Sequence, residues 1–297
     1  MNMASNNTLL TTLPTAFLLV FGGTLAACGG ESGSLGENTS STEAAVTVTG
    51  GGSGQADLVG THSIRIAQRV TTVGSIATNA LSLESGSVAN GDANINNTTT
   101  SQVRISGATL NGNVQIAGAA PSAANGELVN GGKITGTVTS GSATQSTLPT
   151  HAVTPGTTGI TVNSGAPAVT KAAGNYASVQ VNGSTLTLTG GSFNISSLTL
   201  NSGAKLVFDT TLGPIDVSSL GTISLNGGSV SVVGTGAVTL YSNSSASSAV
   251  VINAGVGTVP ASITAPNGGV IIGSRNTVVG KVGGKDVAFD PDSNQHL

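Results

Sequence analysis

Few residues in this 297-residue chain carry side chains that do chemistry. Cys28 is the single cysteine, so no internal disulfide can form. His62, His151 and His296 are far apart, and none forms a metal-spaced pair. Each reads as a solvated loop residue. No Gly-x-Ser-x-Gly elbow occurs. Gly132-Lys133, Gly280-Lys281 and Gly284-Lys285 lack the Ser or Thr that completes a phosphate loop. Asp290, Asp292 and Asn294 place oxygens at alternate positions, the opening of a calcium loop. Gln295 stands where the sharp-turn glycine belongs, and no Glu follows before Leu297. The stretch therefore reads better as a polar, proline-containing cap over the last coil. Asp209 and Asp216 are seven positions apart with Lys205 nearby. They are the candidate carboxylate pair for glycosidic chemistry. Two tyrosines and no Trp make a poor sugar-stacking surface, so turn acids are the simpler reading.

Composition narrows the classes. Lys and Arg number 9, Asp and Glu 12, for a net charge of −3 with no basic run, which argues against nucleic acid as a partner. With 7% charged residues the chain cannot dress many amphipathic helices. Val, Ile, Leu and Phe still make up about a quarter of it, too much for simple disorder at so low a net charge. What remains is a regular fold built on Gly, Ser, Thr, Asn and Val. No cofactor is implied.

The residues before Cys28 explain its context. An apolar run, Leu9-Leu10 and then Leu13 to Phe21, leads into Leu25-Ala26-Ala27-Cys28-Gly29. The run is short for a membrane span and reads as a secretory signal. Leu-Ala-Ala-Cys resembles the lipobox of bacterial lipoproteins. That resemblance implies cleavage before Cys28, acyl chains on its sulfur, and membrane attachment through two or more chains. Gly29 in place of Asp implies the outer membrane or cell surface. One departure is the absence of any Lys or Arg before Arg65, so the signal has no basic start.

Four segments follow: a signal peptide at 1–27, the lipidated cysteine and a Gly/Ser/Thr-rich tether at 28–60, irregular solenoid coils at 61–155, and a C-terminal β-helix domain at 156–297. The tether composition is that of a flexible linker, with an r.m.s. span of roughly 30 Å. Beyond it, short alternations recur, such as Leu81-Ser-Leu83, Val103-Arg-Ile105, Leu198-Thr-Leu200, Ile223-Ser-Leu225 and Val238-Thr-Leu240. Each has period two and stops at Asn-Gly, Ser-Gly or Gly-Gly. Hairpins would give a sandwich; wider turns between such short strands give a solenoid. Few aromatics, and the 25-residue offset between Leu198-Thr-Leu-Asn-Ser-Gly and Ile223-Ser-Leu-Asn-Gly-Gly, favour the solenoid. The expected fold is all-β, a right-handed parallel β-helix of about ten rungs, roughly 50 Å long. Expected inward residues are Leu186, Leu188, Phe193, Ile195, Leu198, Leu200, Leu206, Phe208, Ile223, Leu225, Val230, Val232, Val238 and Leu240. Asn201 and Asn226 should stack. Thr185, Thr187 and Thr189 share an outer face, but the array is not sustained over successive coils as an ice-binding surface requires.

Residues 174–290 resemble a domain of unknown function found in secreted bacterial proteins, some pilus-assembly-like and others at the cell surface. The resemblance rests on Gly183-Ser-Thr-Leu-Thr-Leu-Thr-Gly-Gly-Ser-Phe193, Leu198-Thr-Leu-Asn-Ser-Gly-Ala-Lys-Leu-Val-Phe208, Ile223-Ser-Leu-Asn-Gly-Gly-Ser229, Ile263-Thr-Ala-Pro-Asn-Gly-Gly-Val-Ile-Ile272 and Val279-Gly-Lys-Val-Gly-Gly-Lys-Asp-Val287. It implies a β-helix and carries over no catalytic residue. Leu110-Asn-Gly-Asn-Val-Gln-Ile116 is similar to bactofilin-type β-helices, cytoskeletal polymers that a lipobox argues against. The expected function is a lipid-anchored surface protein, structural or adhesive, without turnover. Its partners are the membrane through Cys28 and a surface glycan or protein. A self-associating β-helical filament and a polysaccharide-active enzyme using Asp209 and Asp216 are the alternatives.

Overall fold

Short strands separated by turns stack in parallel when each strand contributes one inward side chain row and its backbone bonds the strands above and below. The computed structural model describes residues 56–96, 103–117, 129–141, 143 and 147–297. Cys28, the signal segment and the tether up to residue 55 lie outside the described residues. The fold is an all-β parallel solenoid of about ten turns with almost no helix. Each coil places one strand on each of three faces. The first face stacks Ile160–Asn163, Ser178–Asn182, Ser197–Leu200, Ile223–Leu225 and Val250–Ile252 in order. Longer strands such as Ser262–Ile272 and Val282–Phe289 bend at glycines and serve two faces.

The core is a set of columns. Leu200, Leu225, Ile252, Ile272, Phe289, Ile66, Leu83 and Ile105 follow one another along the first face, all fully buried. Of the expected inward residues, all are buried except Val232, which is half-buried. At the end of the same face a stack of asparagine amides runs Asn163–Asn182–Asn201–Asn226–Asn253, with contacts of 3.2, 2.6, 3.5 and 2.7 Å. Asn201 and Asn226 are therefore stacked.

The order of coils in space is not their order in the chain. Strand Leu58–Ile66 pairs in parallel with Val282–Phe289 on one side and with Ile76–Thr78 and Leu81–Leu83 on the other. Thr71–Val73 likewise lies between Asn294–His296 and Val88–Asn90. The first coil of the chain is thus laid on its last, and the coils of 58–141 continue the stack begun by 160–296. This corrects the expected cap. Asp290 to Leu297 does not close an end, because Asn294–His296 is bonded on both edges, by Thr277–Val279 and Thr71–Val73.

Charge collects at this seam. Arg69 Nε and Nη2 donate to the two carboxylate oxygens of Asp292 at 2.6 and 2.9 Å. Lys281 Nζ lies 3.1 Å from Asp57, and His62 Nδ1 is 2.6 Å from Asp286, which also accepts from the Ser63 hydroxyl. His62 is therefore an anchored group rather than a free loop residue. The corner between the first and second faces shows the same bias. Each coil there holds one residue with φ between 56° and 91°. In spatial order these are Gly165, Gly183, Gly203, Gly228, Gly255, Arg275, Asp292, Arg69, Gly86, Gly107 and Gly131. The left-handed region costs a non-glycine residue about 1–2 kcal/mol. Three successive coils at the seam bear that cost; Arg69 and Asp292 pair with each other, and the charge of Arg275 also acts on Asp292.

One row of the seam core is also polar. Along the inner row of the second face, Val259 and Val278 give way to Gln295 and Thr72 before Ala89 and Leu110 resume. Gln295 is buried with its amide satisfied by Val73 N and Gly280 O. The buried Thr72 Oγ1 has no hydrogen-bond partner among the described residues.

Two outcomes follow. Leu225→Asp puts a carboxylate into a column one side chain wide, and should lower stability by several kcal/mol, about 3 or more. Circular dichroism melting checks this; an unchanged midpoint would refute the column. The second concerns pH. Hydrogen bonding from Arg69 holds Asp292 below the usual carboxylate range against a smaller effect of burial. Burial pushes Asp286 up, but bonds from Ser63 and His62 and the charges of His62 and Lys285 outweigh it and leave the pKa lowered. Folded values below the unfolded ones mean stability that is present above the ordinary carboxylate pKa of about 3.9 and lost as pH falls through the depressed values. The stability gap between wild type and Asp292→Asn should be constant from neutrality to about pH 5 and shrink below about pH 4.

Candidate functional site

One outward column crosses the third face: Asn175, Asn194, Ser218, Tyr241, Thr264 and Gly283, each paired to the next. The segment that joins the two sets of coils lies over it. Leu148 sits on Gly283, where an added Cβ would come within 2.6 Å of its side chain. His151 stacks on Tyr241 with ring centroids 3.7 Å apart, and its Nε2 is 2.9 Å from Ser218 Oγ. Gly156 N donates to Tyr176 O at 3.1 Å. Leu148 to Gly156 is eight residue steps, about 26–29 Å at full extension. The five rungs beneath it measure ~24 Å, so the strap is close to fully drawn out. Pro149 and Pro155 suit this, since each fixes φ and keeps the preceding residue extended.

Beside the strap runs an open groove of about 380 Å³. Its floor is the neighbouring outward column, Ser192, Asp216 and Thr239, successive on their strands. Its wall is Pro149 and His151. The floor offers hydroxyls that donate or accept and one exposed carboxylate that only accepts. Such a surface suits hydroxyl- or amide-bearing ligands. The Ser218–His151 pair has the spacing of a nucleophile and its base. However, Ser218 is buried at 8% exposure under the imidazole. No carboxylate among the described residues bonds His151 Nδ1. The pair pins the strap.

The structure separates the two candidate acids. Asp216 lies in the groove on the third face. Asp209 ends a strand of the second face and caps the short 3₁₀ turn Thr210–Leu212. The hydroxyl and backbone N–H of Thr211 hold its carboxyl below the usual range. Asp290, Asp292 and Asn294 are at the seam: Asp292 is taken by Arg69, Asn294 Oδ1 accepts from Thr71 N, and Asp290 O accepts from the Ser293 hydroxyl. Among the described residues no group of three or more His, Cys, Asp or Glu is placed to hold a metal ion. The strap and its histidine were not evident from residue type. A usable signal is the break in period-two alternation after Gly141, together with Leu148-Pro149 and Thr154-Pro155.

His151→Ala removes a ring stack and a hydrogen bond, together worth about 1–2 kcal/mol. A melting midpoint lowered by a few degrees and faster proteolytic cutting between residues 147 and 156 are expected, with a smaller effect for Ser218→Ala. Unchanged cutting would show that the histidine does not hold the strap.

No curated protein and no solved structure matches the chain. One family model does, that of a domain of unknown function, over residues 155–259. The match takes in the strap's end and the first coils of the stack and stops before the Ala-Pro-Asn segment at 265–267. The chain therefore carries a DUF7305 domain within a β-solenoid fold.

Proposed function

We propose that this chain is a lipid-anchored surface protein that presents a rigid β-solenoid for contact, without turnover. The observation that carries this reading is the place where the described chain enters the stack. Leu58 begins between the coil of Val282 and that of Ile76, well inside the stack. An anchor at Cys28, reaching the solenoid through the tether, would hold it from its side. Both end coils and the groove beside the strap would then be free for contact. Acyl chains on Cys28 would supply the attachment, since one chain binds only reversibly and two or more hold.

Contact on this reading is short-range. The scarcity of charge outside the seam supplies little long-range steering. The outward columns of Ser, Thr and Asn provide hydrogen bonding to a glycan or a protein. The groove with Ser192, Asp216 and Thr239 is the most concave such surface described above, and it favours a hydroxyl-rich ligand over an anion.

Detergent-phase partitioning of cells expressing the full chain tests the anchor. Wild type is expected in the detergent phase and Cys28→Ala in the aqueous phase or the medium. A Cys28→Ala protein that stays membrane-bound would overturn the anchor reading.

A further inference from the structure

We propose that the seam is a docking surface for a second copy of this chain: residues 56–141 of one molecule seat on the last coil of another, and the two molecules exchange halves. Four observations point this way, and none depends on the anchor.

The seam is the most non-local junction in the fold. Its contacts join residues 222 to 224 positions apart. During synthesis the coils from Leu58 to Gly141 are complete long before Val282–Phe289 exists. One edge of Leu58–Ile66 is unpaired throughout that interval, and an unpaired edge is a template for another chain.

On its second face the seam is more polar than the rungs on either side. The buried Gln295 and Thr72 interrupt an otherwise apolar row, and Thr72 Oγ1 lacks a partner. Interfaces between separable bodies are more polar than a continuous core. On the second face, separating the coils here exposes Gln295 and Thr72 where a break at Leu110 or Val278 would expose an apolar side chain.

Recognition is specific. Arg69 with Asp292, Lys281 with Asp57, and His62 and Ser63 with Asp286 form a pattern that fits one register only. Arg275, Asp292 and Arg69 hold strained left-handed corners in successive coils. A junction made only within one chain has its partner supplied by the covalent link. A keyed surface matters where the partner can come from elsewhere.

The connection permits both arrangements. Gly141 lies on the coil at one end of the stack and Ile160 on the coil at the other. Nineteen residue steps reach at least ~63 Å, against ~48 Å for ten rung spacings. The difference allows a sideways step of about 40 Å, enough to reach the last coil of a molecule alongside. Chain length therefore does not choose between the two; concentration does. Exchanged halves make the same seam contacts as the monomer, with Leu148 and His151 lifted from the third face so that the 141–160 connection crosses between bodies.

Two measurements on the full chain, carrying Cys28→Ala to remove the native thiol, test this. Arg65 and Ala288 face each other across the seam. Chains carrying Arg65→Cys and chains carrying Ala288→Cys are unfolded, mixed, refolded over a range of concentrations and treated with a short bis-maleimide. A cross-linked heterodimer that grows with concentration is expected. In a single chain carrying both substitutions at high dilution, the cross-link should be internal. Its failure would overturn the seam, and an internal link without any heterodimer would overturn the exchange. The second measurement uses charge. Arg69→Asp and Asp292→Arg each break the pair within their own chain, but a mixture restores opposite charges across one exchanged seam and leaves the native pair at the other. Native mass spectrometry should show 1:1 heterodimers from the mixture beyond the dimer level of either variant alone. Two unmixed populations would refute charge-keyed docking.

Discussion

The strand Leu58–Ile66 cannot complete its ladder until the last fifteen or so residues of the chain are in place, and much of the molecule is arranged around that dependence. Its inner residues Leu58, Ile64 and Ile66 complete columns begun by Val282, Val287 and Phe289. Within either set of coils each new rung is added about 17 to 27 residues after the one it lies on, at modest loop-closure cost. At the seam the separation exceeds 220 residues. A contact of that order forms late. Hydrophobic columns cannot distinguish one rung from its neighbour, because Leu on Ile packs much as Ile on Val. The charged and amide groups at the seam can, since a slip of one position takes Asp286 from its partners and leaves the buried Gln295 amide unpaired, which is costly.

Glycine and charge therefore have linked distributions. The corner between the first and second faces needs a positive φ in every coil, and glycine meets that need at no steric cost. Where Arg275, Asp292 and Arg69 take its place, conformational energy is given up for side chains that can pair from coil to coil. The pairing is exposed and each contact contributes little to stability on its own. Its effect is on register and partner choice, which matches the polar row of Gln295 and Thr72 beneath it. Apolar columns give the solenoid its cohesion, and the seam gives it its order.

The coil architecture was legible in the sequence because it is local. Period-two triplets, Asn-Gly and Ser-Gly corners, and the 25-residue offset from Leu198 to Ile223 are all short-range signals, and the Asn201–Asn226 stack follows from the same offset. The stacking order was not legible. Nothing within the neighbourhood of Asp290-Pro-Asp-Ser-Asn294 says that Arg69 will meet it, so an acidic, proline-containing stretch near the end of the chain reads as a cap or an incomplete calcium loop. Asp209 and Asp216 fail as a pair for a related reason. Seven residues of spacing is enough for two side chains to meet across a coil corner, but the turn Thr210–Leu212 carries the chain to another face between them, and Asp209 is held at that turn while Asp216 lies in the groove. His151 reads as a loop residue because it is one; what its type does not reveal is the column of Ser218 and Tyr241 beneath it.

With the cap at the C-terminus removed, the two end coils need another defence against edge pairing, and their own residues supply part of it. Lys171 lies in an inner column, paired directly with Leu188 and through it with Phe208. An inward charge on an outermost strand opposes the addition of another apolar rung. At the other end Lys133 is exposed on the last strand of the same face. Head-to-tail stacking of two copies would bring these like charges onto adjacent strands of one face and would leave Lys171 buried in a column of Leu and Phe. End-to-end filaments are thus opposed by the residues at the ends. The seam shows the reverse arrangement, with opposite charges matched across the joint and parallel ladders on all three faces. A second copy has more to gain at the interior joint than at either tip, and it is there that the charged residues are concentrated.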